Sequence, residues 1–242
     1  MAVILDGKAV AEKIAEELKT EIAKLSHRPK LVVLRANNDA ASAKFIELKL
    51  KRAEELGIDT ELIEFDAETP EEAILDEIQK QNDDHDTTGI LVQLPVYKHL
   101  DAQVLLNEIS PLKDVDGLSA YSLGLLTQDF AVFYPAVVQA VDELLFAYGI
   151  EIEGKNIVIV GASAWVGKPL AIYLTNQGAT VTICHDKTEN LSEETAQADI
   201  LISATGVTGL IKSDFVKDGA VVIDIGSGQN RETQKIEGDV DF

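Results

Sequence analysis

Residues 42–49 read SAKFIELK, which on a helix sets Phe45 and Lys49 one turn apart on a shared flank. A lysine amine can carry protons in catalysis, and an aromatic ring can stack on a planar substrate. Lys44, Lys51 and Arg52 are close neighbours, so local context alone favours a solvated, charged face. The stronger local signal is GASAWVGKP, which follows the apolar run KNIVIV and precedes a helical pattern. Strand, glycine loop and helix in that order form the setting of a dinucleotide-binding turn. The first glycine, Gly161, permits a tight turn, and the loop aims backbone N–H groups at a helix start toward a pyrophosphate. The spacing from Gly161 to Gly167 is G-x-x-x-x-x-G and departs from the common G-x-G-x-x-G. The next apolar run ends in ICHDKT, where Asp186 can accept hydrogen bonds from ribose hydroxyls and would repel a 2′-phosphate. Lys187 beside it partly offsets that repulsion, and a solvated loop aspartate is the alternative reading. On these residues NAD is preferred over NADP.

The elements that must position these groups alternate between short β-branched runs and longer helical patterns, as βαβ units around parallel sheets do. KLVVL (30–34) reads as a buried strand, followed by a helix over about 40–56 that stops at Gly57. Positions 46, 50 and 53 form its buried stripe, which leaves Phe45 and Lys49 on the flank. DTELIEF is the next strand, and TPEEAILDEIQKQNDD a helix with Thr69 as N-cap and Pro70 at its first position. TGILVQLP (88–95) is a further strand ending at proline. Residues 109–135 carry Pro111, Gly117, Gly124 and Pro135 without a sustained period and read as a hinge region, after which AVVQAVDELLFAYG is helical. The second half repeats the rhythm, with KNIVIVG, ATVTICH, ADILISATG and AVVIDIG as strands and GKPLAIYLTNQG as a helix closed by Gly178. IGSGQNRETQKIEGDV near the end reads as a hairpin. The expected architecture is α/β and two-lobed: an N-terminal lobe over 1–133, a Rossmann-like dinucleotide-binding lobe over 134–242, and a cleft between them.

Composition limits the functions open to such a chain. A hydrophobic content of 46% sustains packed cores and sets disorder aside. A formal net charge of −21 repels phosphate backbones, so no nucleic-acid partner is expected, although backbone amides can still hold a phosphorylated ligand. Cys184 is the single cysteine, no run approaches about 18 apolar residues, and the N-terminus lacks the pattern of a signal peptide. A cytoplasmic protein without a membrane partner is the expectation. His27, His85 and His99 show no ligand spacing, so no metal is expected either.

Several short motifs in order (SAKFIELK, GILVQLP, KDVDG at 113–117, GASAWVGKP, TICHDKT and the terminal GDVDF) give the chain a resemblance to a known family. It is similar nearly end to end to the bifunctional methylenetetrahydrofolate dehydrogenase/methenyltetrahydrofolate cyclohydrolases. The resemblance implies two α/β lobes with folate in the cleft, a nicotinamide cofactor (NAD or NADP), and a homodimer formed through the nucleotide lobe. It places the catalytic lysine on Lys49, its partner glutamine on Gln93 and the substrate-gripping acid on Asp116, with Phe45 at the stacking position. The cofactor-binding set it implies is Gly161, Ala162, Ser163, Val166, Gly167, His185, Asp186 and Thr188. The implied chemistry is hydride loss from 5,10-methylenetetrahydrofolate, then water attack on the methenyl carbon to give 10-formyltetrahydrofolate.

The chain departs from the family pattern at several of these places. Phe45 stands for the usual tyrosine and keeps the ring without the hydroxyl. After DVDG a His-Pro pair and an asparagine are usual, and here Ser119, Ala120 and Ser122 occupy those places. Tyr97 replaces a proline, and of the usual Pro-Cys-Thr-Pro segment PAVVQA keeps only Pro135. Ser227-Gly228 replaces Ile-Asn, and the sequence stops at Phe242, short of the family's closing helix, which is expected to leave the site wetter. These departures leave two readings: a divergent working enzyme, or a catalytically weakened paralogue that binds a nucleotide or pterin as a partner protein. An unrelated α/β oxidoreductase is the third, against which the motif order stands.

Overall fold

The computed structural model describes residues 3–229 and 235–241. The chain divides into two compact units, Met1–Leu125 with Phe130–Ala136, and Leu126–Asp129 with Val137–Phe242. The first unit begins with α1 (Gly7–Ile22), whose start is fixed by Asp6 accepting from the amides of Lys8 and Ala9. Then come β1 (Lys30–Arg35), α2 (Ala40–Leu56), β2 (Asp59–Glu64), α3 (Glu71–Asp83), β3 (Gly89–Gln93), α4 (Ala102–Glu108) and α5 (Ala120–Thr127), whose last two residues are counted with the second unit. The sheet runs β2-β1-β3, all parallel, with Val33 in register with Leu62 on one side and Leu91 on the other. Its central strand is buried on both faces, which is why KLVVLR carries an unbroken apolar run: Val32, Val33 and Leu34 are all shut off from solvent.

Helix α2 obeys its expected bounds. Asp39 caps it by accepting from the Ser42 amide at 2.7 Å, and Gly57 ends it in the left-handed conformation at φ 88°. Ile46 and Ala53 are buried and Leu50 packs against the Val33–Ile46–Leu91 cluster, so the stripe falls where the periodicity put it. Thr69 is not the N-cap of α3. Its hydroxyl donates to Asp66 Oδ1 at 2.8 Å, Pro70 takes the cap position, and the helix starts at Glu71. Asp66 also accepts from the Glu68 amide, so a local turn outcompetes the cap for the threonine. Helix α5 lies in a stretch that reads as aperiodic, because AYSLGLLT is apolar nearly throughout and has no face to mark.

The second unit follows the Rossmann-like alternation: α6 (Ala136–Ala147), β4 (Asn156–Val160), α7 (Gly167–Asn176), β5 (Thr180–Cys184), α8 (Leu191–Thr195), β6 (Ile200–Ser203), a 3-10 turn (Ser213–Phe215) and β7 (Val221–Asp224). Its sheet is parallel in the order β5-β4-β6-β7. Strand β4 is followed by β5 on one side and, after a crossover, by β6 on the other. The loops beyond β4 and β6 therefore part company at the carboxyl edge, the topological switch point where open α/β sheets bind ligands. Strands β8 (Ser227–Gln229) and β9 (Ile236–Gly238) pair antiparallel as the arms of the expected hairpin, and the turn over 230–234 lies outside the described residues. No described helix is long and apolar enough to cross a membrane.

Candidate active site

In the first unit the polar groups converge at the carboxyl end of β3. Lys49 Nζ donates to Gln93 Oε1 at 3.1 Å, and Gln93 Nε2 donates onward to the Leu94 carbonyl at 2.8 Å. The amide side chain is thus held from both ends, with its oxygen turned to the amine. Phe45, one turn before Lys49, leaves 60% of its surface exposed, so its ring is offered outward and spends little on the core. Asn37 and Arg35, which the sequence reading passed over, set the helix against the strand. Asn37, itself buried, donates to the Pro95 carbonyl at 2.7 Å and accepts from the Asp39 amide at 3.0 Å. Arg35 binds Glu64 at 2.8 Å and reaches the Asp39 carbonyl at 3.2 Å. Ser42, buried under the first turn of α2, donates to the Leu94 carbonyl at 3.5 Å.

Every residue of KDVDG has a physical task in placing Asp116. Lys113 Nζ donates to the carbonyls of Gln81, Asn82 and Asp84 at 2.9, 2.8 and 2.7 Å, closing the C-terminus of α3 with a positive charge. Asp114 bridges alongside Ile90 of β3, and Val115 lies over Gly89, where a Cβ would collide with it. Gly117 adopts φ 62° with the backbone of Phe133–Pro135 so close that a side chain has no room. Between them Asp116 is half-buried within reach of the Lys49 charge. Burial raises its carboxyl above the ordinary range, Lys49 opposes that rise, and the Asp114 charge adds to it.

In the second unit a cavity of about 600 Å³ opens at the switch point. Gly161, Ala162, Ser163, His185, Asp186 and Thr188 all line it. Gly161 is required twice over: its φ is 120°, and a Cβ there would run into the Ala204 carbonyl. Val166 and Gly167 lie behind this wall. Their amides approach Ser163 Oγ at 3.1 and 3.4 Å, and Gly167 packs so tightly on the Gly161 carbonyl that no side chain fits. The turn after β5 is knitted by Thr188, whose hydroxyl accepts from the His185 amide at 2.9 Å, leaving Asp186 exposed at its tip. Val160, Leu191 and Leu210 also line it; Ala204, Thr205 and Val207, beyond β6, do too and were missed. The one signal for them was the glycine of ATG just past an apolar run.

Two family models cover the chain: the tetrahydrofolate dehydrogenase/cyclohydrolase catalytic domain over residues 5–116, and the NAD(P)-binding domain of the same family over 135–242. The bifunctional protein FolD of Halalkalibacterium halodurans is 46% identical over 244 residues, spanning 100% of this chain and 87% of the relative. Among solved structures, the FolD dehydrogenase/cyclohydrolase of Campylobacter jejuni superposes with a TM-score of 0.96 at 40% identity, covering 99% of this chain and 86% of the other. The Trypanosoma brucei enzyme, solved with NADP and an inhibitor, gives 0.93 at 34% identity over 100% of this chain and 86% of its own. With both domain models matched in order and relatives similar across the whole sequence, this chain belongs to the tetrahydrofolate dehydrogenase/cyclohydrolase family.

Proposed function

We propose that this protein oxidises 5,10-methylenetetrahydrofolate to the 5,10-methenyl form with a nicotinamide cofactor and hydrolyses that product to 10-formyltetrahydrofolate. The observation that carries this reading is the Lys49–Gln93 hydrogen bond beside Asp116, in a chain matched by both domains of the family. We assign folate and the proton chemistry to residues 1–133 and the cofactor to 134–242. The exposed Phe45 ring stacks on the pterin, and Asp116 accepts hydrogen bonds from its N–H edge. The Lys49 amine, kept in place by Gln93, moves the proton that ring opening requires once water has attacked the methenyl carbon.

The second-unit cavity fits a dinucleotide on its own features. The glycine turn lets backbone approach closely, the walls come from three strand ends, and Asp186 stands at the rim where a ribose is read. When bound, the nicotinamide supplies the hydride acceptor. Asp186 offers a carboxylate to the ribose hydroxyls and sets a negative charge against a 2′-phosphate, which supports NAD as the preferred cofactor. The weakened-paralogue reading is not favoured, because both domain models of the family match and FolD relatives are similar across the whole chain; the Lys49–Gln93 hydrogen bond supports the same reading. We also infer a cytoplasmic homodimer. Strand β5 is the edge of its sheet and leaves Ile183 39% exposed, an apolar edge of the kind a second copy can cover.

The test is reduction of NAD and of NADP on addition of 5,10-methylenetetrahydrofolate, with size measured by light scattering on the same sample. Reduction with a higher kcat/KM for NAD supports the reading. Folded protein that reduces neither cofactor overturns it.

A further inference from the structure

The two serines that stand where the family has histidine and asparagine are not idle. Asp114 is fully buried, and its Oδ2 accepts from the Ser122 hydroxyl at 2.6 Å and from the Ser119 amide at 3.0 Å. Ser119 and Ser122 are themselves buried, and their hydroxyls meet at 3.0 Å. Oδ1 of Asp114 has no partner among the described residues. A carboxylate buried on so few bonds costs stability, and an apolar side chain at the same place would avoid that cost. What the carboxylate does here is latch the start of α5 onto the bridge with β3, so that the turn 115–118 is closed between two fixed points. Asp116 sits at the middle of that turn. On the opposite side of the latch, Lys113 is pinned to the end of α3 by three carbonyls.

We propose that Asp114, acting through Ser119 and Ser122, is a positioning residue for the folate substrate: the latch fixes the turn that presents Asp116. The inference rests on the reading of Asp116 as the pterin-gripping acid. It turns the serine replacements from a loss of family residues into a rewired support.

The test is direct binding, which does not depend on turnover. Kd values for 5-formyltetrahydrofolate and for NAD are measured by calorimetry on the full chain, in wild type, Asp114→Asn, Ser122→Ala and Asp116→Ala, with Tm recorded for each. The expected result is folate affinity weakened about tenfold by Asp114→Asn and about threefold by Ser122→Ala, with NAD affinity unchanged. A general loss of structure would weaken both ligands together. If Asp116→Ala weakens folate and the Ser122→Ala protein, whatever its Tm, binds it as wild type does, the latch is structural only and the proposal is overturned. If Asp116→Ala itself leaves folate binding intact, the reading of Asp116 is what fails.

Discussion

Lys49 reaches Gln93 at 3.1 Å while the Gln93 amide nitrogen is tied to the Leu94 carbonyl at 2.8 Å, so the glutamine is a fixed bracket for the amine. Replacing it with leucine keeps the side chain's bulk and removes the bracket. Gln93→Leu is expected to lower kcat for methenyl hydrolysis by about 10- to 100-fold, with a smaller change in KM for folate. Steady-state kinetics on the isolated hydrolysis step check this.

Asp116 carries a stability cost whose sign can be worked out. Its carboxyl lies above the ordinary range, chiefly through burial, with Lys49 opposing and Asp114 adding. A raised acid holds its proton more tightly in the folded state. Its contribution is therefore full below the unfolded pKa of about 3.9 and is lost as pH rises through the folded value. At neutral pH the ionised group works against the fold. Asp116→Asn should accordingly raise Tm at pH 7 by a few degrees, about 2–4 °C per kcal/mol recovered, and by less at pH 3.5. Scanning calorimetry at the two pH values reads it out, and a lower Tm at pH 7 would contradict the burial account.

Gly161→Ala places a methyl group against the Ala204 carbonyl at a φ of 120°, where no L side chain is comfortable. The expected outcome is a cofactor Kd raised at least about tenfold and a Tm lowered by several degrees. Folate affinity should hold, because the groups we assign to folate lie in the other unit.

The proposed preference for NAD rests on one exposed carboxylate, that of Asp186. Asp186→Ser removes the charge and leaves a hydroxyl. The NADP-to-NAD ratio of kcat/KM should rise about 10- to 100-fold, mostly through KM for NADP. An unchanged ratio would move the determinant elsewhere, with Lys187 the next residue to vary.

The sequence made much of this molecule legible where local chemistry decides structure. Strand β1 announced itself because a strand buried on both faces needs an unbroken apolar run, and α2 because Asp39 and Gly57 bracket it with a cap and a left-handed stop. Helix α5 stayed hidden because a helix apolar on most sides has no period, and Thr69 misled because Asp66 captured its hydroxyl. Lys49, Gln93 and Asp116, the catalytic residues we propose, were singled out through motif order, and the structure adds the Lys49–Gln93 hydrogen bond and the Lys49 charge near Asp116. Asn37 acts through the Pro95 carbonyl, Arg35 through Glu64 and Thr205 through the Asp239 carboxylate, partners far away in sequence, and Ala204 through its place beyond β6, so residue type gave no cue to them. Asp114 was in plain view inside KDVDG, but its hydrogen bonds to Ser119 and Ser122 exist only in three dimensions.

The most direct measurement supplies 5,10-methenyltetrahydrofolate itself, without cofactor, and follows loss of its absorbance in wild type and Lys49→Ala. This isolates the proton chemistry assigned to the amine from hydride transfer. The account predicts hydrolysis above the buffer rate in wild type and a fall of about 10²- to 10⁴-fold in the variant, with folate still bound. Hydrolysis by Lys49→Ala at the wild-type rate would contradict it.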